Sequence, residues 1–162
     1  MGDTVVFTSL NPYRFRISGR IKHYINVFGE EVIVDNADRA IGQACELTGA
    51  QIAEYTAGPV FMSTNSKGSH EWIIEFEKEP PDLEVFISIL DEALKSVNSD
   101  YEAKRFHDLN LGRPVCRSVP KGTFNKWLRM KNKFGGQNKV PRLSNSREYI
   151  EDLYDIIPKQ EA

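Results

Sequence analysis

Acidic side chains are missing from one long stretch of this 162-residue sequence: no Asp or Glu lies between Leu109 and Arg147. The same stretch holds ten cations (Arg113, Arg117, Lys121, Lys126, Arg129, Lys131, Lys133, Lys139, Arg142, Arg147), leaving −12 on the remainder of a chain whose net charge is −2. Such polarity points to a phosphate-bearing partner, nucleotide or nucleic acid, or to a solvated basic face with no partner. Histidine is scarce: His23, His70 and His107 are scattered without ligand spacing, so no zinc or other metal site is expected. Cys45 and Cys116 make neither a disulfide framework nor a metal pair, and their apolar neighbours read as buried thiols. No apolar run approaches the roughly 18–20 residues that span a bilayer. Met1-Gly-Asp-Thr-Val-Val has none of the basic and apolar regions of a signal peptide. A cytoplasmic protein without a membrane partner is expected.

What is present suits a folded core, with 40% hydrophobic residues in a chain of one-domain length. Thr4–Thr8 and Arg14–Ser18 are strand-like, with Asn11-Pro12 as the turn of a hairpin. Short strands about Tyr24–Phe28 and Glu31–Val34 precede a helix capped by Asp35 or Asn36 and stopped by Gly49. Strands follow at Gln51–Ser63 and His70–Glu77. Leu83, Phe86, Ile87, Leu90, Leu94 and Val97 then recur at helical spacing, after a Pro80-Pro81 start. A helical turn at Asp100–His107, a strand at Pro114–Val119, a short helix with Phe124, Trp127 and Leu128 on one face, and a helix over Ser146–Ile157 complete the chain.

That order predicts an α+β fold: a small two-layer or three-layer sandwich, its antiparallel or mixed sheet flanked by helices and preceded by an N-terminal β-hairpin. The hairpin starts within two or three residues of Met1, as a cut end would, which suggests a domain upstream.

Three places could carry chemistry. Asp3, after Gly2 at a strand entrance, could accept hydrogen bonds from a ribose diol; Asp-Thr is also common in plain turns. Ser18-Gly-Arg-Ile-Lys22, with Gly29-Glu-Glu31 beyond it, pairs a close-approach glycine with an arginine able to clamp phosphate. Gly135-Gly-Gln-Asn-Lys-Val-Pro-Arg142 presents Lys139 at the end of a glycine loop, backed by a stiff Pro-Arg. A cation delivered this way suits charge developing on a phosphoryl or acyl oxygen; the plain alternative is a basic surface loop.

Taken in order, these stretches resemble the C-terminal portion of the auxin-responsive acyl acid amido synthetases and their bacterial relatives, within the luciferase-like adenylate-forming superfamily. The matching segments are Gly2–Val5, Phe15–Arg20, Gly68–Glu77, Lys121-Gly-Thr-Phe-Asn125 and Gln137-Asn-Lys-Val-Pro-Arg142. The resemblance implies an ATP-dependent ligase that activates a carboxylic acid as its acyl adenylate and passes it to an amino acid amine. It also implies that residues 1–22 form the junction with an N-terminal domain, which would hold most of the nucleotide and the Mg ion. Residues 23–162 would then form a lid that rotates between half-reactions and is inactive alone. Carried over by position, Asp3 would bind the ribose hydroxyls, Arg20 would contact the nucleotide, Lys22 would lie in the hinge, and Lys139 would close on carboxylate and α-phosphate. Lys126 is a second candidate for that lysine. Plant members place a lysine where Glu31 stands. His70 is expected to be structural. The competing readings are a free-standing nucleic-acid-binding module and a partner-docking domain, the former resting on the basic run alone.

Overall fold

The computed structural model describes residues 3–20, 23–64, 66–106, 111–131 and 139–157. Strands β1 (Asp3–Leu10) and β2 (Tyr13–Arg20) pair antiparallel as a hairpin. Strands β3 (Tyr24–Ile25) and β4 (Val32–Ile33) pair for two residues each, shorter than their apolar runs suggest. The intervening Gly29 and Glu31 take positive φ, which turns the chain before a longer ladder can form.

Helix α1 (Val34–Thr48) starts earlier than its polar residues indicate. Ile33 occupies the cap position, and Asn36 serves from inside the first turn, its Oδ1 accepting the Ile33 N–H at 3.1 Å. Gly49 ends the helix in the left-handed conformation (φ 71°), where a side chain would be strained.

A three-stranded mixed sheet forms the middle layer. Strands β5 (Gln51–Val60) and β6 (Ser69–Lys78) run antiparallel, and β7 (Val115–Val119) joins β6 in parallel. Successive side chains of β6 point to opposite faces. Trp72, Ile74 and Phe76 join Ala37, Ala40 and Ala44 of α1 and Phe86, Leu90 and Leu94 of α2 (Leu83–Val97). Ile73 joins Phe124 and Trp127 of α4 (Thr123–Met130) and Ile150 and Leu153 of α5 (Glu148–Tyr154). Helices thus cover both faces and the sandwich has three layers. That explains why residues 69–76 of β6 are all buried.

Asp82 caps α2, accepting the Glu84 and Val85 N–H groups. Asn98 caps the short α3 (Ser99–Arg105). Both cysteines are free; burial raises both thiols, and Cys116 is pushed up to about 12. The last helix is shorter than Ser146–Ile157, because Ser144–Ser146 form a side-chain-bonded turn before it begins.

The hairpin stands apart from this core. Val5, Val6, Phe7, Leu10, Tyr13 and Phe15 are all exposed, the last three at 71%, 77% and 64%. Its described tie to the sandwich is the Arg16–Asp35 ion pair at 2.6 Å, at the start of α1. An isolated two-stranded ribbon is marginal in water, and apolar groups on both of its faces are unusual.

Candidate functional site

The acid-free segment is not a free basic face. Arg113 pairs with Glu84 at 2.9 Å, Lys121 with Glu77 at 2.9 Å, and Lys131 with Asp152 at 2.7 Å. Arg142 pairs with Glu54, Arg147 bridges Glu71 and Glu151, and Arg117 approaches Glu71 at 4.0 Å. Arg129 also has a partner. Lys133 lies outside the described residues. Two cations of the run remain without an ion-pair partner among the described residues, Lys126 and Lys139, and both are exposed. These are the two candidates, from the sequence, for the lysine that closes on carboxylate and α-phosphate.

They differ in what holds them. Lys126 projects from α4, whose buried side carries Thr123, Phe124 and Trp127. Lys139 stands at the start of a strap, residues 140–144, laid along the outer edge of β5. Val140 is 6% exposed in the cluster under α4 and α5, whereas Leu143 is fully buried in the cluster under α1 and α2. The strap therefore wraps the sheet edge from one face to the other. Leu143 bridges Ala57 in parallel; Ala57 N donates to the Arg142 carbonyl at 2.8 Å, and Ser144 N donates to the Ala57 carbonyl at 3.1 Å. The buried Thr56 hydroxyl donates to the Pro141 carbonyl at 2.7 Å. The Arg142 guanidinium lies 4.4 Å from the centre of the Tyr55 ring and bonds Glu54. Tyr55 in turn donates its hydroxyl to Asp38 at 2.6 Å, and its own ionisation is pushed far up by burial and by that bond. Gly58 makes room for the turn that follows: a Cβ there would sit 3.0 Å from the Ser146 carbonyl and from Ile150.

The far end of the strap meets the chain just beyond the expected hinge, where Asn26 N donates to Asn145 Oδ1 at 2.7 Å. Lys22 and the glycine loop 135–138 lie outside the described residues. Asp3 and Arg20 face each other in the hairpin register, at its open end. The nucleotide roles expected of them rest on the family resemblance. Glu31 holds positive φ in the β3–β4 turn, and its neighbour Glu30 is fully buried. Glu30 Oε1 bonds His70 Nε2 at 2.8 Å, and its Oε2 accepts the Phe28 N–H. His70 is buried against Tyr101 and serves the packing of this turn. Among the described residues no group of three His, Cys, Asp or Glu side chains gathers to hold a metal, and no helix is long and apolar enough to cross a membrane.

Comparison with known proteins agrees with this architecture. A family model described as the GH3 family C-terminal domain matches residues 35–148. A solved GH3.15 acyl acid amido synthetase superposes with a TM-score of 0.73 at 22% identity, covering 97% of this chain and 31% of that one. A structure titled AtGH3.15 acyl acid amido synthetase in complex with 2,4-DB gives 0.72 at 21% identity, with 97% and 30% covered. The chain thus spans about a third of the length of these structures. No curated protein matches it significantly.

Proposed function

The chain belongs to the GH3 family, as its C-terminal domain, and we propose that it is the lid of an ATP-dependent acid–amino acid ligase. In the first half-reaction a carboxylate oxygen of the acid attacks the α-phosphorus of ATP, forming the acyl adenylate and releasing pyrophosphate. In the second, an amine attacks the acyl carbon, forming the amide, releasing AMP and losing a proton.

The observation that carries the reading is the state of Lys139. It is the exposed cation at the head of an anchored strap, with no carboxylate neutralising it among the described residues. Such a charge can meet the negative charge that accumulates on carboxylate and α-phosphate. One oriented cation of this kind is typically worth about 10²–10³ in rate. Lys126 shares the exposure, but it projects from helix α4 and not from the glycine-loop and Pro-Arg segment that the resemblance singles out.

Asp3 would bind the ribose hydroxyls and Arg20 the nucleotide, from a hairpin whose apolar faces would seat in the N-terminal domain. Lys22 would lie in the hinge between residues 1–22 and the lid, residues 23–162. The acid pocket, most of the ATP contacts and the Mg ion would belong to that other domain.

Pyrophosphate exchange tests the reading. The full-length protein should exchange labelled pyrophosphate into ATP with at least one member of a panel of aryl and alkyl carboxylic acids. The isolated chain should not. Robust exchange by residues 1–162 alone would overturn it.

A further inference from the structure

A lysine ends in four flexible methylenes, so a fold aims it chiefly by fixing its backbone. Lys139 is exposed and has no side-chain partner among the described residues, which leaves the strap behind it to do the aiming. Within three residues that strap is held by Val140 in the core, by Thr56 on the Pro141 carbonyl, and by Glu54 and Tyr55 on the Arg142 guanidinium. Pro141 has no N–H, so its polar tether is its carbonyl. The Thr56 residue that holds this carbonyl is 1% exposed, out of reach of any substrate.

We infer that Thr56, assisted by the Glu54–Arg142 pair, is a positioning residue for Lys139 in the adenylation half-reaction. The inference rests on the role of Lys139 proposed above. Thr56→Val removes the hydroxyl, leaves the Pro141 carbonyl without its donor and lets the head of the strap drift. A misplacement near 1 Å can cost about 10²-fold in rate, and a partial drift roughly 10-fold.

The full-length protein provides the test. Thr56→Val should lower kcat for adenylate formation about 10-fold with KM for ATP changed less than about twofold, and Thr56→Ser should restore it. Amide formation from pre-made adenylate should be unaffected. Lys139→Ala should cost about 10²–10³ in adenylation, which single-turnover measurement can still resolve. In that background Thr56→Val should add nothing, because the group it aims is gone.

The inference is overturned if Thr56→Val is silent, if it slows both half-reactions alike, or if its full factor persists without Lys139. A silent Lys139→Ala would instead bring down the underlying reading and this one with it. Should Thr56→Val fold poorly, Glu54→Gln, which weakens the other tether, reads the same cycle.

Discussion

On one face of the sheet β6 presents Trp72, Ile74 and Phe76 to α1 and α2; on the other it presents Glu71, Ile73 and Glu75 to α4 and α5. The first face closes by apolar contact: Phe86 meets Phe76 edge-on at 5.5 Å, and Tyr55 stacks on Trp72 at 5.7 Å. The second closes with a smaller apolar cluster and two nearly buried carboxylates, each grasping one helix. Glu75 accepts the Gly122 and Phe124 N–H groups at the start of α4. Glu71 takes Arg147 ahead of α5 and the Tyr154 hydroxyl at its end. Apolar burial is non-directional and stabilises whatever fills the space. Charged hydrogen bonds fix orientation. The strap beyond Lys139 draws on both sides: Val140 joins the second cluster, whereas Leu143 joins the first.

The comparison can be broken by substitutions that treat the two faces separately. Phe86→Ala, fully buried on the first face, should cost about 3–5 kcal/mol in chemical denaturation. Glu71→Ala should cost about 1–3 kcal/mol by removing the nearly buried acceptor shared by Arg147 and the Tyr154 hydroxyl, with Glu151 still left to Arg147. Glu75→Gln, which weakens the acceptor at the α4 N-terminus, should cost about 0.5–2 kcal/mol. A larger loss at Glu71 than at Phe86 would reverse the assignment of forces to faces.

The first side is not wholly apolar, and acid should reach its two buried carboxylates, Asp91 of α2 and Glu30 beside His70 of β6. Burial pushes Asp91 up, but hydrogen bonds from Arg105 and Tyr101 outweigh it and hold the carboxyl below its ordinary 3.8. Burial likewise raises Glu30, and His70 with the Phe28 N–H brings it below 4.5. Lowered carboxylates contribute stability that is present above those ordinary values and is lost as pH falls through the folded ones. Melting temperature should therefore hold from pH 7 to about 4.5 and drop below it, and Asp91→Asn should flatten that drop. Glu54 of β5, which holds Arg142 of the strap, has the opposite sign: burial raises it above 4.5 despite Arg142, so its protonation in acid favours the folded state.

How much of this could be read from the sequence follows from the range of each interaction. Elements set by neighbours three, four or two residues apart were readable, including α2 with its apolar stripe and the Gly49 stop. The role of Phe124 and Trp127 as core followed from the same patterns. What could not be read was where the cations of the 109–147 run would find acids. Glu54, Glu71, Glu77 and Glu84 come from β5, β6 and α2, and only the folded sheet brings them to Arg142, Arg147, Lys121 and Arg113. For the same reason Thr56 carried no signal. Nothing local marks a strand threonine as the donor to a carbonyl 85 positions away. The glycine loop drew attention to Lys139 from one side, while the hold on it comes from the other.

The proposal that Lys139, and not Lys126, is the charge this domain delivers can be tested by one pair of variants. Lys139→Ala and Lys126→Ala in the full-length protein should be compared for adenylate formation and, separately, for amide formation from pre-made adenylate. On the proposed role of Lys139, a fall of about 10²–10³ in adenylation is expected for Lys139→Ala with transfer spared, and little change in either step for Lys126→Ala. The reverse pattern, or an equal loss from both, would contradict it.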